Sequence, residues 1–328
     1  MIINSETKRI KIKTHDEYQY SFSPSIIEYD NKILMAHRNA KCLWHESDIL
    51  ISLLDDNFNI IRTKKILNGH KYYRKYADPR FFVWKKELYI CIYDQSTIHR
   101  EIKDKTIKQK RRKEAEENNS LYLININPDT LEIKNTQKIH QKFKNKIEKN
   151  WQFFEHKNDL YSLYSFQDNE HQIIKWNKDL SFNKNIVKKH DLINQIDLSD
   201  MPDIVKIKFE NQKNNIFLSQ SVVPIKKNNE YFGIIHYFVM IDKLRLYLNH
   251  LYSFSSKDIG EISFFSKKPN FIGDINLKVK PQYPYNIEGI LFICGFFSYK
   301  NKFYISYGYQ DSECMVSEIN LDKIIKGN

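Results

Sequence analysis

DPRFFVWKKELYICIYD, residues 78–94, opens on Asp-Pro-Arg, runs through a short apolar stretch, turns on two lysines and returns as an aromatic-rich strand. That is the pattern of a β-hairpin. Four other stretches share it: SPSIIEYDNKILMAHR from Ser23, NWQFFEHKNDLYSLYSF from Asn150, QSVVPIKKNNEYFGIIHYF from Gln220 and ICGFFSYKNKFYISYGY from Ile293. Aligned on their second residue they place Pro24, Pro79, Trp151, Ser221 and Cys294 in register, with steps of 55, 72, 70 and 73 residues. A repeat of this length suits a supersecondary unit of about four strands.

A third element follows most hairpins, an alternating strand that ends in an Asx-rich turn: DILISLLDDNFNI at 48–60, SLYLININPDTLEI at 120–133, HQIIKWNKDLSF at 171–182 and CMVSEINLDKI at 314–324. Hairpin, third strand and a variable fourth make one blade. Five blades use nearly all of the 328 residues, so the sequence predicts an all-β chain forming one five-bladed β-propeller over residues 1–328. A β-sandwich with irregular loops is the alternative, but it leaves the fivefold register unexplained. Aromatics make up 14% of the chain, with 21 Tyr and 21 Phe, which favours half-buried pleated surface over helix.

Residues 99–119, HREIKDKTIKQKRRKEAEENN, interrupt the second blade with a run that is almost entirely charged. This insertion reads as a solvated helical excursion or a disordered loop. Its basic part, 103–113, carries much of the local excess behind a formal charge of +12 and offers a surface to an anionic or membrane-bound acceptor. Nucleic acid is the weaker reading, and it predicts a strong salt dependence of affinity that deletion of 99–119 removes. The N-terminal MIINSETKRIKIK lacks a signal-peptide pattern, and the longest apolar run, GILFICGFF at 289–297, is too short to span a bilayer. A cytoplasmic location is expected. Cys42, Cys91, Cys294 and Cys314 show no metal-ligand spacing and read as buried free thiols. With no GxGxxG, Walker loop, HExxH or Gly-x-Ser-x-Gly element, and only 8 Gly, neither a metal nor a nucleotide cofactor is expected.

In a propeller the innermost strands line a central channel, so one register position points at one axis from every blade. The residue before the aligned position is Ser23, Asp78, Asn150 and Gln220 in the first four blades and Ile293 in the fifth. Turn chemistry ahead of a strand also favours such residues, but four polar groups at one register point to a site. Arg38, Arg80, Lys149, His236 and Asp311 lie at hairpin ends around this ring. One carboxylic acid, several cations and aromatic walls suit a sugar together with an anion.

Ser-Pro-Ser with Arg38, Asp-Pro-Arg at 78–80, Lys149-Asn150-Trp151, the GIIH…Y element at 233–247 and FICGF…SYGYQD at 292–311 together resemble the mannoside phosphorylases of glycoside hydrolase family 130 and the related family 108 mannosyltransferases. The likeness runs through all five repeats in order. It implies inverting transfer of a mannosyl-like group between a sugar hydroxyl and inorganic phosphate, which serves as co-substrate. Asp78 matches the family's proton donor; Lys149, His236 and Tyr247 match its phosphate-binding positions, and Ser23, Arg38 and Asp311 its sugar-binding positions. Arg80, Asn150 and Gln220 join the sugar-binding set from the register reading. The chain departs from the family at Ala77, where Glu is usual, at Ser23 in place of Asn, and at Ser219-Gln220-Ser221 in place of a Gly-Gly-Thr-like turn. A single acid with no second carboxylate as base suits phosphorolysis, because phosphate is already a nucleophile. The same site run in reverse makes a glycosidic bond, so a biosynthetic transferase with a sugar-phosphate or nucleotide-sugar donor is the competing enzyme. A propeller that binds glycan without catalysis is the non-enzymatic alternative.

Overall fold

A computed structural model describes residues 9–12, 20–40, 46–72, 74–96, 120–139, 150–241, 244–272, 290–309 and 312–327. Lys149, Asp311, Cys42 and the charged insertion with its basic stretch at 103–113 lie outside the described residues. The described chain is almost entirely β. Its first strand, β1 (Arg9–Ile12), is followed by an antiparallel run of β2 (Tyr20–Tyr29), β3 (Lys32–Ala40), β4 (Ser47–Leu54) and β5 (Ile60–Leu67). A second run holds β6 (Arg74–Trp84), β7 (Glu87–Ser96), β8 (Ser120–Ile126) and β9 (Ile133–Ile139), joined to the first by one parallel bridge, Ser47 to Lys75. The third contains β10 (Gln152–His156), β11 (Asp159–Ser165), β12 (Glu170–Trp176) and β13 (Phe182–Lys189).

In the fourth run, β14 (Ser219–Gln220) and β15 (Ile225–Lys227) both pair with β16 (Glu230–Ile241), which leads to β17 (Leu244–Ser255), β18 (Ile262–Phe265) and β19 (Phe271–Ile272). The sequence reading treats 220–227 as the start of one continuous strand. The structure breaks it at Ser221–Pro224, where Pro224 has no N–H for the ladder, while the Ser221 amide still donates to the Ile234 carbonyl at 2.9 Å. The last run is β20 (Leu291–Tyr299), β21 (Lys302–Tyr309) and β22 (Glu313–Ile319), and its fourth strand is β1 from the other end of the chain.

Local chemistry explains the hairpins. Asp30 and Asn31, Lys85 and Lys86, Lys157 and Asn158, and Lys300 and Asn301 all have φ between 48° and 67°. Positive φ at both positions of a two-residue loop is the type I′ turn, whose twist matches that of the flanking strands. Asn supplies this conformation easily; Lys does so at some cost.

The apolar side chains gather in five clusters, each between two runs. Leu34, Ile51, Phe81 and Ile90 join the first and second; Phe82, Trp151, Phe153 and Trp176 the second and third. Phe154, Leu163, Ile235 and Tyr252 lie between the third and fourth, with Val205 and Phe209 of the helix Asp203–Gln212; Ile234, Leu251, Ile293 and Ile305 lie between the fourth and fifth. Ile12, Val316 and Phe297 meet Ile26 and Met35, packing the fifth run on the first. Trp151, the register residue of the third repeat, is core: its ring lies 5.7 Å from that of Trp176, whose Nε1 donates to Ser162 Oγ at 2.9 Å. Such ring pairs add about 0.5–1.5 kcal/mol each beyond the area they bury.

A cavity of about 320 Å³ is lined by residues of the first strands of all five runs, among them Ser25, Phe82, Glu155, Ile225 and Gly295. Gly295 shows how closely these strands approach. A Cβ there would fall on the Ser306 hydroxyl and within 2.9 Å of the Ile26 backbone nitrogen. Ser306 cannot swing aside freely, because its Oγ donates to the Pro24 carbonyl at 2.8 Å. Gly295→Ala is therefore expected to destabilise the protein by about 1–3 kcal/mol, read from urea unfolding; an unchanged midpoint would contradict the packing. Cys91, Cys294 and Cys314 are buried free thiols, and burial pushes the Cys91 thiol up to about 12. Among the described residues no helix is long and apolar enough to cross a membrane.

Candidate active site

The register position that sequence reading singles out is a backbone device. Pairing of β2 with β3 slips between Phe22 and Ser25, that of β6 with β7 between Ala77 and Arg80, and that of β20 with β21 between Ile293 and Gly295. Each slip is a β-bulge, which bends the strand and re-aims its side chains. Ser23, Asp78 and Asn150 share left-handed backbone, with φ of 55°, 49° and 65°. Non-glycine residues hold this conformation at a cost of roughly 1–3 kcal/mol each, and such strain gathers at functional sites.

Serines tie the bulges together. Ser23 Oγ donates to Asp78 Oδ1 at 3.3 Å, and Ser25 Oγ accepts from the Phe81 amide at 3.0 Å. Gly308 makes room for this approach, since a Cβ on it would sit 3.2 Å from the Ser23 nitrogen. Ser23 is buried and Asp78 partly exposed.

Arg80 crosses from the second run to the fourth and fifth. It is 2% exposed; its Nε donates to the Ser221 carbonyl at 3.1 Å and its Nη1 to the Pro79 carbonyl at 3.0 Å, with the guanidinium 5.4 Å from the Phe292 ring centre. Its Nη2 is buried without a hydrogen-bond partner, and no carboxylate among the described residues lies within ion-pairing distance of it. A buried cation without a counter-ion is costly, and an anion beside it would offset that cost.

His236 stands next to this arginine through Ser221, whose Oγ is 2.7 Å from His236 Nδ1. Its ring centre is 5.3 Å from that of Phe292 and 5.6 Å from that of Tyr247, and Tyr247 and Phe292 are 6.1 Å apart. The structure thus brings Ser23 to Asp78, and gathers Arg80, His236 and Tyr247 around Phe292.

The remaining predicted residues are placed as follows. Arg38 is buried, opposite Phe22 in the ladder, with its guanidinium 4.5 Å from the Phe22 ring centre and its Nη2 donating to Ser47 Oγ at 3.3 Å. Asn150 accepts at its carbonyl from Gln152 Nε2 at 3.3 Å, and its Oδ1 is buried without a partner. Gln220 Oε1 accepts from the Tyr252 hydroxyl at 2.9 Å, turning that end of the amide into the sheet, and its Nε2 is buried without a partner. Sequence reading passed over Ser221, Phe292 and Gly308 as site residues. Ser221 sits at the aligned register itself, so the alignment held the signal.

No family model matches the chain, and no curated protein matches it. Solved structures of mannoside phosphorylases do share its fold. The β-1,2-mannobiose phosphorylase of Listeria innocua, in complex with β-1,2-mannobiose, superposes with a TM-score of 0.63 at 12% identity, covering 94% of this chain and 92% of its own. MPT-4, a mannose phosphorylase from Leishmania mexicana in complex with phosphate ion, gives 0.61 at 13% identity over 98% and 90%. A glycosyl hydrolase from Bacteroides ovatus gives 0.62 at 14% over 93% and 85%. At these identities the likeness is one of fold.

Proposed function

We propose that the five runs are the blades of one five-bladed β-propeller, and that the chain is a carbohydrate-active enzyme of glycoside phosphorylase type. It transfers a mannosyl-like group, with inversion, between a sugar hydroxyl and phosphate. The observation that carries this reading is the buried Arg80, without a counter-ion among the described residues, set beside His236 and Tyr247. That arrangement supports an anionic substrate next to the partly exposed acid Asp78. The shared fold with mannoside phosphorylases agrees with it.

In this reading Asp78 delivers its proton toward the glycosidic oxygen as the bond to the anomeric carbon breaks. A phosphate oxygen forms the new bond from the opposite face, and no second carboxylate is needed as base. His236 and Tyr247, with Lys149, hold the phosphate beside the cation of Arg80, and Arg80 also joins Ser23, Arg38, Asn150, Gln220 and Asp311 in binding the sugar. The chemistry calls for no cofactor.

The test is incubation with mannose 1-phosphate and a panel of sugar acceptors, measuring phosphate release. Release with at least one acceptor is expected. Absence of release with every acceptor, together with turnover of a nucleotide sugar, would replace the phosphorylase by a biosynthetic transferase.

A further inference from the structure

Ser221 is fully buried, and each of its polar groups has a partner. Its amide donates to the Ile234 carbonyl at 2.9 Å, and its carbonyl accepts from Arg80 Nε at 3.1 Å. Its hydroxyl lies 2.7 Å from His236 Nδ1. That contact can be made in two ways. If the imidazole donated from Nδ1, the hydroxyl hydrogen would need a second acceptor, and among the described residues the Ser221 hydroxyl has none. A buried donor left unsatisfied costs about 1–3 kcal/mol. If the hydroxyl donates instead, both groups are satisfied, Nδ1 is the acceptor, and the proton of the neutral ring sits on Nε2. The hydrogen bond at one ring nitrogen thus sets the other.

We propose that Ser221 is a positioning residue that fixes His236 as the Nε2–H tautomer, with Arg80, reaching across from the second run, holding the Ser221 backbone in place. The consequence for phosphate rests on the function proposed above: an Nε2–H is a donor, as an anion requires. The tautomer itself follows from the Ser221 hydrogen bond, whatever the function.

The experiment uses the full chain labelled with ¹⁵N at histidine, with the His236 signals assigned by their loss in His236→Gln. The parent is expected to show His236 as Nε2–H. Ser221→Ala is expected to let a detectable share of the Nδ1–H form appear, and Ser221→Thr to keep the parent pattern. If the methyl of Thr prevents folding in this tight site, the Ala spectrum decides alone. A Ser221→Ala spectrum identical to the parent's overturns the proposal. Inorganic phosphate is then titrated into the same proteins, with binding roughly tenfold weaker expected in Ser221→Ala. A changed tautomer with unchanged phosphate affinity overturns the positioning role. A parent that binds no phosphate overturns the function proposed above, and the tautomer result still stands or falls by itself.

Discussion

Replacing Asp78 by Asn is expected to lower glycosyl transfer by about 10²–10⁴-fold, the range that a positioned general acid supplies. Asn is the informative substitution for structural reasons. Asp78 holds φ at 49°, a conformation that Asn tolerates well. The amide oxygen can still accept from Ser23 Oγ, which bonds Asp78 Oδ1 at 3.3 Å. The transferable proton is lost. The thermal midpoint should therefore stay within a few degrees of the parent's while phosphate release collapses. Full activity in Asp78→Asn would remove the acid from the mechanism, and a collapse of both readouts would make Asp78 structural instead.

Acid is expected to unfold the protein through three histidines that are not in the candidate site. Burial lowers His37 and His250 to about 4 and His171 to about 3. His171 stacks on Phe166 at 4.3 Å, with Nδ1 donating to the Gly260 carbonyl at 2.9 Å. His250 likewise donates from Nδ1 to the Ser266 carbonyl at 2.8 Å. The Nε2 atoms of both rings and Nδ1 of His37 are buried without partners, so a second proton would have nothing to bond. The unfolded chain takes up these protons near pH 6.5 and the folded one does not. Stability is complete above that pH and falls as pH drops toward the folded values. Each group contributes a slope of about 1.4 kcal/mol per pH unit, and the three together roughly 4. Against a typical total of roughly 5–15 kcal/mol, unfolding should set in between pH 6 and pH 4. Urea midpoints across that range check it, and His37→Leu should flatten the slope by about one third. A stability that is level from pH 6.5 to 4.5 would contradict the assigned burial.

What could be read in the sequence was whatever repeats locally. The hairpins are legible because Asp30-Asn31, Lys157-Asn158 and Lys300-Asn301 are turn chemistry between alternating strands, and the third strands because each ends in an Asx turn. The register of Ser23, Asp78 and Asn150 was legible as a pattern of polar residues, though the left-handed backbone they share was not. Contacts across the repeats left no local trace. Arg80 reaches a carbonyl 141 residues away, and a serine at 221 looks the same in a sequence whether or not a histidine lies beneath it. Gly295 and Gly308 read as ordinary strand glycines until the strands packed against them are known. The break at Ser221–Pro224 was hidden because Val222 and Val223 read as strand.

The pairing of β1 with β22 bears on how the chain reaches this structure. Arg9 to Ile12 lie along Ser317 to Cys314, and the contact between Lys11 and Glu313 spans 302 residues. Bringing such distant segments together costs roughly 5 kcal/mol of loop-closure entropy, so hairpins held by short turns should form well before it. During synthesis β1 is made well before β22 and must wait for it to emerge. Until the two pair, β1 and then the outer edge of β22 are open to a strand from another molecule, which makes the interval before this pairing the stage of greatest exposure to aggregation.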